Sequence, residues 1–90
     1  MEIKLNKDKV IINYFGFYLS VKPYGYIAME KDGSLYWYSR KPERFYEVGV
    51  YGAVQGGKIK YLGEIKLEEK EINWEESLRE IKDLDYMNED

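Results

Sequence analysis

The sequence predicts an α+β fold: an antiparallel β-meander of five or six strands with one C-terminal α-helix packed on a sheet face. Three observations predict it. Short β-branched and aromatic runs alternate with Gly, Pro and Asp turn signals through residues 1–65. A hairpin signal, Asp32-Gly33, sits between two apolar runs. Beyond them Trp74, Leu78 and Ile81 fall at helical spacing behind Asn73, a good capping residue.

Ile3 and Leu5 alternate with charges, and Asn6-Lys7-Asp8-Lys9 reads as a turn. Val10 to Phe15 is apolar and β-branched, as a buried strand should be. Gly16 marks a bulge or bend before Phe17, Leu19 and Val21 resume the period of two, and Pro23 and Gly25 punctuate the next turn.

The hairpin from Tyr26 to Ser39 admits two loops. A two-residue Asp32-Gly33 turn pairs Met29 with Tyr36. A three-residue Lys31-Asp32-Gly33 loop, with Gly33 in the left-handed position, pairs Met29 with Leu35 and Ile27 with Trp37. The three-residue loop is preferred because it collects Ile27, Met29, Leu35 and Trp37 on one face, and a one-residue slip would invert that face.

Lys41-Pro42-Glu43 breaks the pattern, Arg44 to Val54 alternates loosely, and Gly56-Gly57 marks a turn before a last strand over Lys58 to Ile65. In the helix, Glu76 stands three residues after Asn73 in a capping-box-like pair, and Glu75, Glu76 and Glu80 face outward. Residues 1–82 are thus expected to form a single domain and 83–90 a short acidic tail that frays.

Composition narrows the chemistry. The chain has 90 residues, no His and no Cys, which removes disulfides, thiol nucleophiles, imidazole bases and ordinary zinc sites. None of its serines sits in a Gly-x-Ser-x-Gly elbow, no calcium-loop spacing is present, and the glycines form no phosphate loop. No enzyme activity, cofactor or metal is expected. No run approaches a membrane span and Met1–Lys9 is no signal peptide, so the expected setting is soluble and cytoplasmic.

The net charge of −3 conceals a split. Residues 1–62 hold ten Lys/Arg against six acids, which gives +4, whereas residues 63–90 hold four against eleven, which gives −7. The basic part is also the aromatic part, and the chain carries ten Tyr, two Trp and three Phe. Aromatic faces stack on nucleobases, and cations bind phosphates.

Chemistry alone therefore picks Tyr24, Tyr38 and Tyr51 as stacking candidates, with Tyr36 on the same strand face as Tyr38. It picks Lys22, Arg40 and Arg44 as phosphate candidates. A long nucleic acid is not expected, because so few excess cations neutralise few phosphates. So small a domain buries only ~60–65% of its unfolded surface, so some aromatics are expected at a homo-oligomer interface.

The run from Tyr26 to Glu43 resembles a segment of small bacteriophage proteins, which read Tyr-Ile-Ala, an acid, Asp-Gly, an aromatic, Ser and then Pro. Val50-Tyr51-Gly52, Tyr61-Leu62-Gly63 and Trp74-x-x-Ser77-Leu78 continue the similarity. Such proteins are similar to anti-defence sponges that sequester the cyclic nucleotide signals of CBASS immunity. The resemblance implies an oligomer in the host cell cytoplasm that holds a cyclic dinucleotide without cleaving it, and it carries over no pocket residue. The alternative expectation is an anti-CRISPR-like inhibitor of a host defence complex, acting through the acidic face of Glu68, Glu69, Glu75 and Glu76.

Overall fold

The computed structural model describes residues 9–66, 72–84 and 86–88. Its strands are β1 (Val10–Tyr14), β2 (Phe17–Val21), β3 (Tyr26–Met29), β4 (Ser34–Tyr38), β5 (Glu43–Phe45), β6 (Val50–Gly52), β7 (Ile59–Glu64), β8 (Arg79–Glu80) and β9 (Tyr86–Asn88). They form a sheet of order β2-β1-β9, a second of order β7-β4-β3-β8, and the separate β5–β6 hairpin. All strand pairings among the described residues are antiparallel.

β1 turns into β2 through Phe15-Gly16, both at positive φ (51° and 90°), the backbone of a type I′ hairpin. Gly16 is therefore half of a tight turn rather than a bulge, and Asn13 Oδ1 accepts its amide at 2.7 Å. The unfavourable φ of Phe15 is held by packing: its ring stacks edge-on to Tyr14 at 4.8 Å and lies under the Arg79 guanidinium at 4.6 Å.

The β3–β4 hairpin adopts the three-residue loop: Met29 pairs with Leu35, Ile27 pairs with Trp37, and Gly33 takes φ 96°. The loop is also a junction. Lys31 donates its amide to the Gly49 carbonyl, and the Gly33 carbonyl accepts from Ile65, each at 2.8 Å.

Both faces of this hairpin are buried. Ile27, Met29, Leu35 and Trp37 join Val10, Ile12, Tyr14 and Val21 of the first sheet in one core. On the opposite face Ala28 and Tyr38 pack with Tyr51 of β6 in a second core. The molecule is thus layered sheet, sheet and hairpin, with β3–β4 in the middle. The stretch from Arg44 to Val54 is not one alternating run: it folds back on itself at residues 46–49, closed by the Gly49 amide donating to Phe45 at 3.0 Å.

Among the described residues there is no C-terminal α-helix, and the fold is mostly β rather than α+β. In its place stand a one-turn 3-10 helix at Trp74–Glu76, strand β8 and a second 3-10 turn at Ile81–Asp83. Asn73 caps as expected, accepting from the Glu75 amide at 3.0 Å, but the helix stops after one turn.

Two causes act together. The apolar stripe serves two cores on opposite faces of a sheet: Leu78 packs beside Tyr38 and Tyr51, and Ile81 packs with Ile12 and Ile27. No single helix face reaches both. The outer edge of β3 also competes for the backbone, pairing Tyr26 with Glu80 and Ile27 with Arg79 and giving the Gly25 carbonyl to the Ile81 amide. A helix of eight residues has little propagation energy with which to resist.

Tyr86–Asn88, within the stretch read as a fraying tail, pairs with β1 from Val10 to Ile12. The expected strand around Ile3 and Leu5 lies outside the described residues.

Candidate functional site

Trp37 organises a place where lysines gather beside an aromatic ring. Its indole Nε1 donates to the Tyr24 carbonyl at 2.8 Å, which fixes the ring plane, and the Tyr24 ring stands edge-on to it at 5.6 Å. The register then delivers lysines from three directions. Val10 pairs with Val21 at the open end of the β1–β2 hairpin, so the residues just beyond that pair, Lys9 and Lys22, emerge together. On β7, Lys60 lies directly opposite Trp37.

Lys9, Lys22 and Lys60, with Trp37, Val21 and Leu62, line a recess of about 20 Å³. That is room for about one water or one phosphate oxygen. Among the described residues no carboxylate lines it. The Lys22 ammonium stands 5.8 Å from the Trp37 ring centre, within cation–π range.

The candidates chosen from sequence separate into groups. Lys22 lines this recess, and Tyr24, 51% exposed, stands beside its Trp37 wall. Tyr38 and Tyr51 are buried and hold the second core, Tyr38 donating to the Tyr51 carbonyl at 3.4 Å and Tyr51 to the Trp74 carbonyl at 2.9 Å. Their rings are walls rather than stacking platforms. Burial raises the Tyr38 phenol well above its ordinary value, with Glu30 and neighbouring tyrosines adding to it.

Tyr36 is half-buried on that same face, edge-on to exposed Tyr61 at 5.5 Å. Desolvation raises its phenol, and the nearby carboxylates of Glu30 and Asp32 raise it further. A phosphate has no welcome beside those acids. Arg40 is exposed and lies over Gly56. Arg44 is already engaged on the hairpin, stacked on Tyr46 at 4.2 Å and donating to the Glu75 carbonyl.

Lys9, Trp37 and Lys60 were missed in the sequence. Pairing of Lys60 with Trp37 across β4–β7 was the signal that would have found them, but it joins segments over twenty residues apart. Of the acidic face, Glu68 and Glu69 lie outside the described residues, and Glu75 and Glu76 sit in the 3-10 turn. Among the described residues no group of His, Cys, Asp and Glu could hold a metal ion. No helix among them is long and apolar enough to cross a membrane. Compared with known proteins, the chain matches no family model, no curated protein and no solved structure.

Proposed function

We propose that this chain binds a nucleotide anion of the cyclic dinucleotide class and sequesters it without cleaving it. The observation that supports the reading is the recess that Lys9, Lys22 and Lys60 line together with Trp37, with no carboxylate among its described lining residues and half-exposed Tyr24 beside the indole. Ammonium groups from separate strands meet a phosphate there, and an aromatic face stands next to it for a base. Capture without turnover fits a chain that has no His or Cys to act as base or nucleophile. The resemblance of Tyr26–Glu43 to phage anti-defence proteins supplies the setting: removal of a cyclic nucleotide alarm signal from the host cytoplasm. Exposed Tyr46 and Val48, at 55% and 69%, support self-association.

Native mass spectrometry with cyclic di-AMP, cyclic di-GMP and a cyclic trinucleotide tests the reading. A ligand retained intact, with more than one copy of the chain and at least tenfold weaker binding in Lys22→Ala and Lys60→Ala, is the expected result. No retention and no thermal shift at millimolar ligand would refute it.

A further inference from the structure

The geometry points to a second compartment of the same site: an apolar groove between β2 and β7 that receives the purine ring of a nucleotide whose phosphate sits among Lys9, Lys22 and Lys60. This rests on the nucleotide reading above and extends it to the base. The recess by itself, at about 20 Å³, is too small for any nucleotide. The neighbouring groove offers about 340 Å³, with Phe17, Leu19, Leu35, Leu62 and Ile65 among its walls. That is within the size range of small-ligand pockets.

Three observations join the two compartments. β2 and β7 are each the outer strand of their sheet among the described residues, so the sheets part between them. Leu62 is a wall of both spaces. It gains that position from a β-bulge: Tyr36 pairs with Tyr61 and Leu35 with Gly63, which leaves Leu62 as the extra residue. On β2, Leu19 and Val21 face the same side one period apart, about 7 Å along the strand, so one lines the groove and the other the recess.

Charge divides in the same way. Among the described lining residues the groove has one Glu and one Lys, Glu64 and Lys66, whereas the charged residues of the recess are all lysines. A ligand with an anionic end and a flat apolar end matches that polarity, and a nucleotide has both.

Isothermal titration of the full chain with cyclic di-AMP, AMP and inorganic pyrophosphate tests the groove. Leu19→Glu places a carboxylate on its wall and Leu19→Met keeps it apolar. The expected result is at least a tenfold loss of cyclic di-AMP and AMP affinity in Leu19→Glu, a change under threefold in Leu19→Met, and pyrophosphate binding within threefold of wild type in both. Photolabelling of the unaltered chain with 8-azido cyclic AMP does not depend on how the variants fold. Adducts are expected within residues 17–22 or 60–66.

A folded Leu19→Glu chain that binds cyclic di-AMP as wild type does, adducts confined to Tyr36, Tyr38 or the β5–β6 hairpin, or displacement by decanoate at lower concentration than by AMP would each overturn the groove while leaving the recess standing. Wild type that binds neither cyclic di-AMP nor pyrophosphate would overturn the nucleotide reading itself.

Discussion

Tyr14 donates its phenol proton to the carbonyl of Ser77 at 2.7 Å, in a buried bond that ties β1 to a turn 63 residues later. Tyr38 donates to Tyr51 at 3.4 Å, which is long for a hydroxyl donor. Both rings are fully buried. The two phenols should therefore differ when removed. Tyr14→Phe strands a buried carbonyl and is expected to cost about 1–3 kcal/mol, whereas Tyr38→Phe should cost under about 1 kcal/mol. Urea unfolding of the two variants measures both.

Ser77 carries three partners on one hydroxyl. Its Oγ accepts the Met29 amide at 2.9 Å and has the carbonyls of Trp74 and Met29 at 2.7 and 3.1 Å, either of which takes its proton. Ser77→Ala leaves the Met29 amide buried and unpaired. A loss of about 1–3 kcal/mol is expected in chemical denaturation, with slope unchanged.

Gly25 has φ 99°, and a Cβ there would stand 2.5 Å from the Tyr38 carbonyl and 2.7 Å from the Trp37 indole nitrogen. Gly25→Ala meets backbone strain and collision together, so destabilisation beyond about 1–3 kcal/mol is expected. Trp37 emission should shift red at lower denaturant than in wild type, since the turn also carries the Tyr24 carbonyl that holds the indole.

Burial is the chief cause that raises the phenols of Tyr14 and Tyr38 far above their ordinary value, and for Tyr14 the Ser77 side chain and the Arg79 cation offset a part. A raised folded value means that these groups contribute stability in full below about pH 10, and that it is lost as pH climbs toward the folded values. Tyrosinate absorbance should therefore show two of the ten tyrosines ionising only together with alkaline unfolding. Two phenols that titrate reversibly in the folded chain would contradict this.

Desolvation raises the Glu30 carboxyl, and Asp32 nearby raises it further. Its sign is the same: the contribution is present when the group is protonated at acid pH and is lost as pH rises through the elevated value. Glu30→Gln should stabilise the chain at neutral pH by less than about 1 kcal/mol and by nothing near pH 3, a difference that melting curves at the two pH values resolve.

Local rules read much of this molecule. The β3–β4 register followed from which loop length gathers Ile27, Met29, Leu35 and Trp37 on one face, and the structure has that register. Lys22 and Tyr24 are legible as a cation and a ring on one turn; Lys22 lines the recess and Tyr24 stands edge-on to its Trp37 wall. The helix failed because spacing records only that Trp74, Leu78 and Ile81 are apolar, not that the sheet between them divides their destinations. Tyr38 and Tyr51 look like ligand-stacking residues for the same reason. Tyrosine at a strand position reads alike whether a neighbouring hairpin covers it or solvent does, and the packing of β5–β6 on β3–β4 that buries both is fixed by long-range contacts.

β1 lies between β2 and β9, so the earliest strand described here is flanked by one neighbour across a two-residue turn and by another more than seventy residues away. On the ribosome, the β1–β2 ribbon must emerge with one hydrogen-bonding edge open and hold it until residues 86–88 have been synthesised. Closure then waits on a distant encounter, which puts folding of this chain with the slower β-rich domains, in milliseconds to seconds. For that interval the unguarded edge of Val10–Tyr14 is where one nascent molecule can capture another.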